Sequence, residues 1–190
     1  MAKNLVLASR SPARRQLMKK LGLPFMSCES GYRENMRAYS TAWRLAKYLA
    51  RMKAVSVAKQ YPDSTIIGAD TFITCRGKKI GKPKSIAHAK RLIRFMSGQI
   101  IKVYTGVAII ETDHRANIIG ESSDYALTDL WIKKMSGEEV GLLAHQKDAL
   151  HISGAFSIEG EGGKMILRLR GDYDNVIGLP IFLLKKMLHQ

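Results

Sequence analysis

Four short stretches, far apart in the chain, carry residue types suited to handling phosphate and a divalent cation. They are Ser9 to Arg15, with Ser9, Arg10, Arg14 and Arg15; Lys53, inside a long helical pattern; Asp70-Thr71, behind an apolar run; and Gly81-Lys82-Pro83. Hydroxyl, guanidinium and backbone N–H donors gathered at a strand-to-helix turn can hold anionic oxygens. A carboxylate at the end of an apolar strand can hold a metal or take a proton. Each stretch also has an ordinary alternative. Arginines in a first helical turn serve as solvated surface, a lysine can snorkel with its ammonium in water, and a strand-end aspartate is as often a cap or turn residue.

The elements that would position these groups follow from pattern. Leu5 to Ala8 has the length of a buried strand, and Ser11-Pro12 predicts a helix N-cap and first helical residue, with Leu17, Met18 and Leu21 as its apolar face. Phe25 to Cys28 reads as a short strand, followed by a polar loop that contains Glu34. Ser40 to Lys59 predicts a helix with Ala42, Leu45, Ala46, Leu49, Ala50, Met52 and Val57 on one face, and Lys53 falls within that stripe. Burying a lysine without a partner is costly, so Lys53 either reaches an anion at the edge of the core or snorkels.

Thr65 to Ala69 predicts a buried strand that delivers Asp70 and Thr71; Phe72 to Cys75 continues it, and a turn at Arg76 to Lys79 returns the chain through Ile80 to Pro83 with Lys82. Ser85 caps a helix, and strands over 102–112 and 117–127 meet near Asp113. Ser136 to Glu139 is a capping box. His151 to Gly163 reads as loop, Met165 to Leu169 as strand, and Asn175 to Leu188 as an amphipathic segment. This alternation of strand and helix predicts an α/β fold with a mixed sheet.

With 190 residues, 46% hydrophobic and 25% charged, the chain fits one globular domain over 1–190. A net charge of +15 calls for an anionic partner, whether nucleotide, nucleic acid or membrane surface. Cys28 and Cys75 have neither disulfide-framework nor zinc spacing. The N-terminus lacks a signal peptide's apolar core, and the most apolar later stretch, Val176 to Leu184, is interrupted by Gly178 and Pro180. The expectation is a cytoplasmic protein without membrane association.

The order of these stretches resembles the Maf family of septum-formation proteins that act as nucleoside triphosphate pyrophosphatases. Leu7-Ala-Ser-Arg-Ser-Pro-Ala-Arg14 is similar to its LASxSPxR, Lys53-Ala54 to its helical KA, and Gly68-Ala-Asp-Thr71 to its GADT. Gly81-Lys-Pro83 is similar to its GKP, Tyr104-Thr-Gly-Val107 to its YTGV, and Val176-Ile-Gly-Leu-Pro180 to its VxGLP. The resemblance implies a mixed twisted sheet with flanking helices, two lobes around a central cleft of the Maf/ITPase-like kind, and a homodimer among its partners. It implies Asp70 as catalytic carboxylate, Ser9, Arg14, Lys53, Thr71, Lys82 and Glu159 as substrate contacts, and Asp70 with Glu34 holding Mg²⁺ or Mn²⁺.

For the base, the branch acting on dTTP and UTP has arginine where this chain has Ala13, and a glutamine at Glu159. Leu150-His-x-x-Gly-x-Phe156 with Glu159-Gly160 looks more like the branch acting on 7-methyl-GTP, whereas Thr71 sides with dTTP and UTP. The expected reaction is hydrolysis of a modified nucleoside triphosphate such as 7-methyl-GTP to monophosphate and pyrophosphate, with dTTP/UTP hydrolysis as the alternative. From another class, the basic surface would serve nucleic-acid binding or division control. The absence of recognised nucleic-acid-binding motifs makes nucleic acid at most a nonspecific partner.

Overall fold

The computed structural model describes residues 3–189, so residues 1, 2 and 190 of the expected domain lie outside the described residues. Among the described residues seven strands form one sheet: β1 (Asn4–Ala8), β2 (Met26–Cys28), β3 (Ser64–Cys75), β4 (Lys78–Ile80), β5 (Ile100–Thr112), β6 (Ile118–Ile132) and β7 (Ile166–Arg170). Their order is β2-β1-β3-β5-β6-β7, with β4 paired to β3. The sheet is mixed, since β1 runs parallel to β2 and β3, while β4 is antiparallel to β3 and β7 to β6. The described residues also form six α-helices: α1 (Pro12–Met18), α2 (Ala42–Ala58), α3 (Ile86–Met96), α4 (Gly137–Ala144), α5 (Tyr173–Ile177) and α6 (Ile181–Leu188). Among the described residues no helix is long and apolar enough to cross a membrane.

The chain forms two compact units. The first takes the chain up to Thr71, Tyr104–Ala126 and the part from Asp172 onward; the second takes Phe72–Val103 and Leu127–Gly171. In the first unit β1, β3 and β5 are buried on both faces, and the twofold alternation of side chains sorts them. Leu7, Ile67, Ala69, Val107 and Ile109 pack with Leu17 and Met18 of α1 and Ile181, Leu184 and Met187 of α6. Val6, Ala8, Ile66 and Ile110 pack on the other face with Ala54, Val57 and Ala58 of α2.

Helix α2 lies unusually close to the strands. A Cβ on Gly68 would fall 2.0 Å from the Ala50 carbonyl oxygen and 3.1 Å from the Ala54 Cβ, and one on Gly106 would fall 2.3 Å from the Ala46 carbonyl. Alanines four residues apart, Ala46, Ala50 and Ala54, therefore meet glycines, and helix backbone rests almost directly on strand backbone. In the second unit, Ser85 caps α3 by accepting the His88 N–H at 3.1 Å. The capping box of Ser136 and Glu139 opens α4. Asp129, buried on β6, accepts from Lys102 at 2.9 Å and Arg170 at 2.5 Å. Burial raises its pKa, but these two bonds outweigh that effect and hold it below the usual carboxylate range.

Several expectations are adjusted. The run at 65–69 and its extension form one twelve-residue strand, and the return strand stops at Ile80, so Lys82 lies beyond it. The C-terminal amphipathic segment is two helices, because Gly178 adopts a φ of 122° and Pro180 follows. Met52 is only half-buried, and Ala54 and Ala58 take up the inner face instead. Replacing Gly106 with alanine must push α2 off the sheet, so thermal unfolding of Gly106→Ala should show a loss of about 1–3 kcal/mol. Gly141→Ala, on α4 with open space around it, should gain about 0.5–1 kcal/mol as the helical control.

Candidate active site

Strand β1 ends at Ala8, and Ser9 is held immediately after it. Its Oγ accepts the Ser11 N–H at 3.2 Å, and its carbonyl accepts the Ser27 hydroxyl at 2.8 Å. Ser11 then caps α1 by accepting the Arg14 N–H at 3.4 Å, with Pro12 as first helical residue. The three arginines of this turn diverge. Arg10 pairs with Glu29, Arg15 is exposed, and only Arg14 turns inward. Arg14 donates from Nε to the Gly178 carbonyl at 2.8 Å and from Nη2 to the Thr71 hydroxyl at 3.1 Å.

Lys53 reaches an anion rather than water. Its ammonium pairs with the Asp70 carboxylate and, at 2.8 Å, with Glu34. The side chains of Lys53 and Asp70 are only 12% and 10% exposed, whereas Glu34 is 43% exposed at the mouth of the group. The loop that carries Glu34 is tied to α2: the Ser56 hydroxyl donates to the Ser30 carbonyl at 2.6 Å, and the Tyr32 and Tyr48 hydroxyls meet at 3.2 Å. Alternation along β3 divides its two functional residues. Gly68 and Asp70 face α2, while Ala69 and Thr71 face the side of α1 and α6.

The electrostatics follow from burial. Burial pushes the Asp70 carboxyl above the ordinary aspartate range; Lys53 and Arg14 pull it back, and Glu34 raises it further. Burial likewise lowers the Arg14 pKa, against the attraction of Asp70 and Glu34. A guanidinium nevertheless remains protonated in proteins. The group thus contains two cations and two acids.

Among the described residues no group of three or more His, Cys, Asp or Glu side chains is placed to hold a metal ion. Asp70 and Glu34 do converge on one position, since both reach the same Lys53 nitrogen. Two carboxylate oxygens suit a hard divalent ion that keeps several waters and shares phosphate oxygens, so these residues fit Mg²⁺ or Mn²⁺.

Lys82 and Glu159 belong to the second unit. Lys82 is exposed beyond β4; Glu159 is exposed at the start of a 3₁₀ turn, where its N–H donates to the Ser157 hydroxyl at 3.1 Å. Sequence reasoning assigned no role to Thr105, which is fully buried and contacts the Thr71 hydroxyl at 3.0 Å. Its only signal was the Tyr104-Thr-Gly-Val107 stretch.

Residues 4–190 match the family described as Maf-like protein. The chain belongs to the Maf family. Maf relatives include a dTTP/UTP pyrophosphatase of Bacillus cereus (strain ATCC 10987 / NRS 248), 35% identical over 188 residues that cover 99% of this chain and 90% of that protein. The dTTP/UTP pyrophosphatase of Bacillus cytotoxicus is 34% identical, covering 99% and 95% of the two Maf chains. Among solved structures, a HAM1 protein from Coxiella burnetii aligns with a TM-score of 0.46 and 15% identity, over 70% of this chain and 74% of that one.

The raised Asp70 pKa has a stability consequence. The folded chain keeps this proton to higher pH than the unfolded chain, so stability is lost as pH climbs from about 3.9 through the raised folded value. Asp70→Asn cannot ionise and leaves Lys53 its partner Glu34. It should melt at a higher temperature than wild type at pH 7, and the difference should shrink below about pH 4 in a calorimetric pH series.

Proposed function

We propose that this chain is a nucleoside triphosphate pyrophosphatase that cleaves between the α and β phosphates, releasing a nucleoside monophosphate and pyrophosphate. The observation that carries the proposal is the buried Asp70 carboxylate against the Lys53 ammonium, with Arg14 anchored on the neighbouring Thr71. The names of the relatives support the same reaction class.

In this mechanism Asp70 orients the attacking water toward the α-phosphorus and accepts its proton; its raised pKa suits it to that task. Lys53 and Arg14 meet the charge that develops on the departing pyrophosphate, and Ser9, held just after β1, serves as a further substrate contact. Two cations balanced by two carboxylates cannot by themselves neutralise a triphosphate. Asp70 and Glu34 would therefore hold Mg²⁺ or Mn²⁺, which would supply positive charge against that of the triphosphate. For Lys82, a phosphate-contact role rests on the Gly-Lys-Pro stretch alone.

For the base, the relatives' names point to dTTP and UTP. A second reading, 7-methyl-GTP, is favoured by the carboxylate of Glu159 where the dTTP/UTP branch has glutamine. That carboxylate can accept from the N1–H and amino group of guanine, whereas the carbonyls of uracil and thymine would repel it. Alanine at position 13 also leaves more room than arginine would.

A panel of dTTP, UTP, 7-methyl-GTP and the common nucleotides, assayed for pyrophosphate release, tests the reaction and ranks the bases. Asp70→Asn should lose more than about tenfold in rate, at least about 1.4 kcal/mol of transition-state stabilisation. A smaller loss would remove Asp70 from the chemistry. Lys53→Met removes a cation that lowers the Asp70 pKa, so the acidic limb of its rate profile should move to higher pH. If 7-methyl-GTP is the substrate, Glu159→Gln should lower its kcat/KM relative to UTP by at least about tenfold. An unchanged ratio decides for the pyrimidines. Binding to DNA that vanishes at moderate salt would confine nucleic acid to a nonspecific role.

A further inference from the structure

Two stretches of the sequence, Tyr104-Thr-Gly-Val107 and Val176-Ile-Gly-Leu-Pro180, take no part in the chemistry above, yet both meet Arg14 through a chain of hydrogen bonds whose direction is determined. The Thr105 hydroxyl donates to the Asn175 carbonyl at 2.9 Å, and a carbonyl can only accept. Its single proton is thereby spent, so in the 3.0 Å contact between the two hydroxyls Thr71 donates and Thr105 accepts. Thr71 then has only lone pairs to offer, and it accepts from Arg14 Nη2 at 3.1 Å. Arg14 Nε–H goes to the Gly178 carbonyl at 2.8 Å, three residues along the same backbone from Asn175. The ring closes through that short piece of chain.

Gly178 suits its place in this ring. Its φ of 122° is one that side chains resist, and a Cβ there would sit 3.4 Å from both Arg14 Nε and Thr71 Oγ1. Of the five guanidinium N–H groups, two are fixed by the ring, leaving the two on Nη1 and one on Nη2 for phosphate oxygens.

We infer that Thr105 is a positioning residue that aims Arg14 through the Thr71 hydroxyl. The hydroxyl at 105 spends its own proton on the Asn175 carbonyl and accepts the Thr71 proton, which turns the Thr71 lone pairs toward the guanidinium. The inference rests on the pyrophosphatase reading only for what Arg14 grips.

The test uses Thr105→Val, Thr105→Ser and Arg14→Met in the full chain. Thr105→Val should lower kcat/KM for the best nucleotide by at least about tenfold, and Thr105→Ser should restore it to within about threefold. In an Arg14→Met background Thr105→Val should cost nothing further, since both changes disable one unit. Independently of activity, nitrogen-15 NMR should show the Arg14 Nε–H slow to exchange in wild type and at least about tenfold faster in Thr105→Val, with core amides unchanged. Should Thr105→Val fail to fold, Thr71→Val cuts the ring one bond nearer Arg14 and carries the same expectations. Retained Arg14 Nε–H protection in Thr105→Val, a Thr105→Ser variant as impaired as Thr105→Val, or additive losses with Arg14→Met would each overturn the inference. If wild type hydrolyses no nucleotide while the Nε–H still responds as described, the pyrophosphatase reading fails and the ring stands.

Discussion

The closeness of α2 to the sheet governs the arrangement of the catalytic group. Glycine at 68 and 106 and alanine at 46, 50 and 54 remove the side-chain layer that normally separates helix from strand. Lys53, adjacent to Ala54, consequently needs only its own stem to reach Asp70, two residues beyond Gly68 on the same face of β3. A conventional helix-to-sheet spacing would leave a buried carboxylate without its ammonium, and an unpaired ion at that depth is expensive. The small residues are thus an electrostatic requirement as much as a packing one.

That pairing also sets the chemical character of the site. Asp70 is drawn in two directions: burial favours its neutral form, and the two cations favour its anion. The outcome is a carboxylate that binds a proton more readily than one in water, yet remains partnered. Glu34, more open and supported by a loop tied to α2, completes the pair of acids at the rim. The second unit handles charge differently: on Asp129 two cationic donors outweigh burial and the pKa falls.

Much of this was legible in the sequence. Apolar runs gave the strands, the Ser-Pro and Ser-x-x-Glu patterns gave the helix starts, and a lysine in an apolar stripe gave the inward cation, because each depends on local periodicity or capping. The divergence of Arg10, Arg14 and Arg15 was not legible, since partners such as Glu29 and the Gly178 carbonyl are fixed only by tertiary packing. Thr105 escaped for a related reason. A threonine in an apolar strand reads as filler until the carbonyl opposite it is known. The break between α5 and α6 could have been anticipated from Gly178 and Pro180, which interrupt a pattern that otherwise runs on.

The sorting of Asp70 and Thr71 to opposite faces of β3 bears on how such a protein can diverge. A strand's side chains alternate strictly, so inserting or deleting one residue anywhere between Ser64 and Asp70 would exchange the two, sending the acid toward Arg14 and the hydroxyl toward Lys53. Substitution can proceed gradually along β3, but a change in its length is an all-or-nothing event. Descendants of this chain should therefore record their history of insertion and deletion in the connections, such as the stretch between β2 and α2, while the spacing from Ser64 to Thr71 stays fixed even where its residues drift.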